Sequence, residues 1–105
     1  MILNTANRSA LPFLDEHAVV EVPAIVGRSG PAPVAIGPTP PHAQALVTQI
    51  KDVERTTIEA ALSGSTDMAV RALAMHPLVP SVSVARAIFD GYRSRLPDLQ
   101  ERFAG

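Results

Sequence analysis

Pro33-Val34-Ala35-Ile36-Gly37-Pro38-Thr39-Pro40-Pro41 separates two kinds of sequence, and its reading decides the class of fold. On its near side, Pro33 to Ile36 is a short apolar run hemmed by prolines, which suits an edge strand. On its far side, Thr39 can accept orphan amides and Pro40 stands at a first helical position, where a missing N–H costs nothing. Seven of the ten prolines lie between Pro12 and Pro41, and only Pro77, Pro80 and Pro97 follow. The front part is therefore poor in helix and the back part rich in it, an α+β domain.

Downstream, Ala43, Leu46, Val47, Ile50, Val53, Ile58, Ala61 and Leu62 recur at spacings of three and four, with Lys51, Asp52, Glu54 and Arg55 on the other side. One long helix is predicted, stopped by Gly64 in a left-handed conformation. Ser65 or Thr66 then opens a shorter helix through Ala69, Val70, Ala72 and Leu73, which His76-Pro77 terminates. Ser81 or Ser83 opens a third helix, whose Val84, Ala85, Ile88, Phe89, Tyr92 and Leu96 form one stripe before Pro97 kinks or restarts it ahead of Leu99 and Phe103.

Upstream, His17-Ala18-Val19-Val20-Glu21-Val22 reads as a strand ended by Pro23, with Ala24-Ile25-Val26 as an extension beyond it. Gly27-Arg28-Ser29-Gly30 is a turn, and Pro33–Ile36 is the second arm of an antiparallel hairpin. The chain is thus expected to form one domain over 1–105, with an extended and β part at 1–38 and three main α-helices within 39–104.

A chain of 105 residues has no room for two enzymatic domains. Its net charge of −1 gives no electrostatic grip on nucleic acid. With no cysteine there is no disulfide framework, thiolate nucleophile or thiolate metal ligand, and a cytoplasmic location is the default expectation. No apolar run reaches the roughly 20 residues of a membrane span, and the N-terminal residues do not form a signal peptide. Charged residues are 18% of the chain, below the roughly 25% of typical domains, so part of the surface is expected to be interface.

Few residues point to chemistry by themselves. His17, His42 and His76 fall in three different elements without metal-ligand spacing, and no serine occupies a G-x-S-x-G elbow. Arg86, Arg93, Arg95 and Arg102 read as a solvated face, weakly paired with Asp90 and Asp98. The segment Asn4-Thr5-Ala6-Asn7-Arg8-Ser9 stands out, because two carboxamides and a guanidinium suit sugar hydroxyls and phosphates. Asparagines also make turns, and composition alone leaves both readings open.

From that segment onward the sequence resembles a family. Asn4-Thr5-Ala6-Asn7-Arg8-Ser9-Ala10-Leu11-Pro12 followed by Ala18-Val19-Val20-Glu21-Val22-Pro23 is similar to the opening of the C-terminal region of family-four 6-phospho-β-glucosidases. Val34–Pro41 resembles the loop before that family's long helix. Glu54–Ala61 resembles the helix middle, and Ala72–Val79 the end of the helix that follows. The resemblance implies an enzyme in which NAD transiently oxidises C3 of a 6-phospho-sugar, a divalent metal such as manganese stabilises the enolate, and the glycosidic oxygen leaves by elimination.

The family's dinucleotide loop, its cysteine and histidine metal ligands and its tyrosine base lie upstream of the matching region. No catalytic, cofactor or metal residue is therefore carried over, and the isolated chain is expected to be inactive, without a cofactor of its own. The resemblance implies a substrate-lining role for Asn4, Asn7 and Arg8 in an intact enzyme. Ser9 stands where the family often has glycine, and Phe13 where it often has asparagine. Expected partners are an NAD-binding chain or domain and a second copy, since Ile88, Phe89, Tyr92 and Leu96, with any uncovered side of the first helix, would seek burial as a dimer. The alternative is a non-catalytic interaction module or a gene remnant derived from the same domain.

Overall fold

The computed structural model describes residues 1–104, and its front part is an antiparallel sheet of β1 (Ile2–Ala6), β2 (Val19–Gly27) and β3 (Gly30–Pro33) in the order β1-β2-β3. Three of the sequence expectations need correction here. Pro23 does not end its strand, because β2 runs through it. Its register partner on β1 is Ile2, one position from the bonded pair in which the Ala24 amide donates to the Met1 carbonyl at 2.7 Å. Bonded and non-bonded pairs alternate in antiparallel strands, so Pro23 occupies a position that gives β1 no N–H. The second hairpin arm is Gly30–Pro33 rather than Pro33–Ile36, closing on a turn at Arg28 and Ser29 with Gly30 at φ +97°. The third correction is β1 itself, because residues 2–6 carry a strand where the sequence suggests only a polar segment.

β2 alternates from Val19 to Ile25. Val20, Val22 and Ala24 are buried while Val19, Glu21, Pro23 and Ile25 are exposed. Val20 and Val22 join Ala10 and Ala18 in a small core, with Leu11, Leu14 and Ile36 packed against it. The loop between β1 and β2 therefore supplies much of the cover for the sheet's inner face.

The back part contains α1 (Pro41–Ser63), α2 (Thr66–Met75), α3 (Val82–Arg95) and α4 (Pro97–Arg102). α1 starts one residue later than expected, and the Pro40 carbonyl accepts the amides of Ala43 and Gln44. Ser65 and Ser81 are the N-caps of α2 and α3, each hydroxyl accepting an amide three residues on at 3.2 Å. Pro97 restarts the chain as α4, so a fourth, short helix joins the three expected. His76 caps the end of α2, its Nδ1 accepting the Leu78 amide at 3.1 Å.

The chain forms two compact units, Met1–Leu46 and a second beginning at Val47. In the second, Ala60, Val70, Ala85, Phe89 and Phe103 make the core. The Phe89 and Phe103 rings meet edge to face at 5.3 Å between centroids, and the Arg93 guanidinium lies 5.2 Å from the centre of the Phe89 ring. α1 contributes little here, with Ala60 its one buried residue, while Leu46, Ile58 and Leu62 are exposed. Its apolar stripe is real in sequence but largely unburied.

Gly64 ends α1 at φ +72°, as expected of a left-handed stop. The Arg102 side chain donates from Nε and Nη2 to the carbonyls of Ala61 and Leu62, two of the acceptors that a helix end leaves open. A Cβ on Gly64 would stand 2.8 Å from the Arg102 carbonyl oxygen. Gly64→Ala combines a left-handed penalty of roughly 1–2 kcal/mol with displacement of α4, so we expect a loss of about 2 kcal/mol or more, read as a lower midpoint in thermal unfolding.

Candidate functional site

The polar segment of β1 leads into the loop 7–18, which is built around one side chain. Asn7 is fully buried, the only buried polar residue among those described. Its Nδ2 lies within hydrogen-bond distance of the carbonyls of Leu11 at 2.9 Å, Leu14 at 3.1 Å and Asp15 at 3.1 Å. Its Oδ1 accepts the Leu11 amide at 2.8 Å. An amide nitrogen has two hydrogens, so three acceptors mean that one hydrogen is shared. The main chain closes the loop as well, with the Asn7 amide donating to Ala18 at 2.7 Å and the Arg8 amide to Glu16 at 2.8 Å. Arg8, at φ +53°, is the one non-glycine residue among those described with a left-handed backbone.

The three residues singled out in the sequence are thereby placed differently. Asn4 is exposed, beside its register partner Glu21 on the outer face of the sheet. Asn7 follows at odd separation and turns inward, so the two carboxamides occupy opposite faces. Arg8 is exposed at the start of the loop, as is Ser9. Asn7 makes its hydrogen bonds inside the loop. The turn-making role that composition left open for the asparagines is the one in which Asn7 bonds nearby backbone.

A shallow cleft opens within the same unit, lined by Pro12, Phe13, Ile36, Pro38, Thr39 and Gln44. Gln44 Nε2 donates to the Thr39 carbonyl at 3.0 Å, tying the first turn of α1 to the segment before it. Phe13 forms part of the cleft wall. It supplies an apolar surface rather than a hydrogen-bonding amide.

Among the described residues no group of three or more His, Asp or Glu approaches closely enough to hold a metal ion, and cysteine is absent. His17 lies 3.3 Å from Glu16, both well exposed. The donor set present does not fit a manganese ion, and among the described residues no glycine-rich turn leads from a strand into a helix as a dinucleotide requires. Of the arginine face, Arg86, Arg95 and Arg102 are exposed and Arg93 is half-buried. Arg93 pairs with Asp90 at 3.4 Å and donates to the Phe103 carbonyl at 3.3 Å, and Arg102 serves the end of α1. The stripe of α3 also divides, because Phe89 is buried with Phe103 while Tyr92 and Leu96 remain exposed beside Ala87, Ile88 and Gly91.

Among the described residues no helix is long and apolar enough to cross a membrane. Residues 1–79 match the family described as the family 4 glycosyl hydrolase C-terminal domain. A probable 6-phospho-beta-glucosidase of Bacillus subtilis (strain 168) is 40% identical over 88 residues, covering 84% of this chain and 20% of the relative. A maltose-6'-phosphate glucosidase of Fusobacterium mortiferum is 38% identical over 90 residues, covering 86% of this chain and 20% of its own. The crystal structure of a 6-phospho-alpha-glucosidase from gut microorganisms, in complex with NAD and Mn2+, superposes with a TM-score of 0.84 at 26% identity, over 90% of this chain and 22% of that one. The chain thus spans about a fifth of the length of these relatives. It belongs to the family 4 glycosyl hydrolases, as their C-terminal domain.

Proposed function

We propose that this chain is the substrate-side module of a 6-phospho-glucosidase, acting only with an NAD-binding part, in the cytoplasm, and inactive alone. The observation that carries the reading is coverage: the family match takes in residues 1–79, whereas four-fifths of the relatives' length lies outside the aligned region. In such an enzyme the loop 7–18 would face the sugar phosphate. Arg8 and Asn4 would offer exposed polar groups, and Asn7 would act by holding the loop that carries Arg8. The relatives include both alpha- and beta-glucosidases, so the reading extends to 6-phospho-glucosides of either anomer.

Exposed Leu46, Ile58 and Leu62 on α1 and Tyr92 on α3 support a second element of the proposal, that apolar surface on this module is covered by a partner. A module retained for association without catalysis would use the same surfaces. The two readings part in one experiment. The purified chain should show no heat of NAD binding in calorimetry and no manganese-dependent release of aglycone from a 6-phospho-glucoside. Adding the NAD-binding part of a related enzyme should then restore hydrolysis. Micromolar NAD affinity for the chain alone would overturn the claim of incompleteness, and failure of the mixture to hydrolyse would favour the association module.

A further inference from the structure

We draw no further inference here: the strongest candidate, the cleft of the front unit lined by Pro12, Phe13, Ile36, Pro38, Thr39 and Gln44, carries nothing, because it is an apolar hollow in a chain that spans about a fifth of the length of its relatives and nothing in the structure shows what covers it.

Discussion

Replacing Asn7 with alanine should destabilise the β unit by about 3 kcal/mol and release the loop 7–18. The substitution removes the partner of three carbonyls and of the Leu11 amide at a fully buried position. Each satisfied bond contributes only about 1 kcal/mol net, but a buried group left without a partner costs roughly 1–3 kcal/mol. Water entering the vacated space recovers part of that sum, which places the expected loss well below the total of four broken bonds. Asn7→Asp should be at least as harmful. It keeps the shape and the acceptor for Leu11 but turns a carboxylate oxygen towards three carbonyl oxygens. Hydrogen exchange resolved by residue distinguishes this from global loosening, since protection should fall at Leu11, Leu14 and Ala18 and persist through α2 and α3. A loss below about 1 kcal/mol for both variants would show that the loop is held by its main-chain bonds, and that Asn7 is free to serve a ligand.

The same residue shows what could be read from the sequence and what could not. Periodicity located the helices, because Val70, Ala85 and Phe89 repeat at helical spacing and Ser65, Ser81, Gly64 and Pro97 punctuate them with local chemistry. These signals act within a few residues, so they survive without knowledge of the rest of the fold. Strand β1 carries no such signal. Ile2, Asn4 and Ala6 lie on an exposed face and Thr5 on the inner one, so the apolar alternation that marks β2 is missing. What fixes β1 is its register against β2, a partner some 17 residues away. Pro23 misled for a related reason: a proline stops a strand only where its nitrogen is needed for a ladder bond, and that depends on the neighbour.

The candidate site was legible as a composition and not as a geometry. Two asparagines and an arginine in five residues mark Asn4–Arg8 as unusual, yet the parity of the strand sends Asn4 outward and Asn7 inward. A sequence pattern cannot assign an amide to ligand or loop when both use the same donors and acceptors. In this chain Asn7 is buried with four contacts inside the loop, while Arg8, with its left-handed backbone, is exposed along with Ser9, Asp15, Glu16 and His17. Backbone strain of this kind persists only where the surroundings fix it, here by the Asn7 side chain and the Arg8 to Glu16 bond.

Phe89→Ala should have the largest effect of any single substitution in the helical unit, a loss of about 3–5 kcal/mol. The side chain is buried, meets Phe103 edge to face and lies beneath the Arg93 guanidinium, so truncation removes transfer energy, an aromatic pair and a cation–π contact together. Two further bonds depend on the same packing. Arg93 also donates to the Phe103 carbonyl, and α4, which carries Arg102 to the end of α1, is anchored by Phe103. Loss of the Phe89 ring should therefore loosen α4 and expose the last carbonyls of α1, which native-state exchange would report as faster amides at Gly64 and Phe103. Phe89→Leu keeps most of the buried volume but no ring, and should cost less than half as much. The exchange pattern should mirror that of Asn7→Ala, with protection lost at Ala85 and retained at Val20 and Val22, because each core is assembled from residues of one unit. If Phe89→Ala left unfolding unchanged and instead weakened self-association, the ring would belong to a surface stripe with Tyr92 and Leu96, and the assignment of α3 to the helical core would fall.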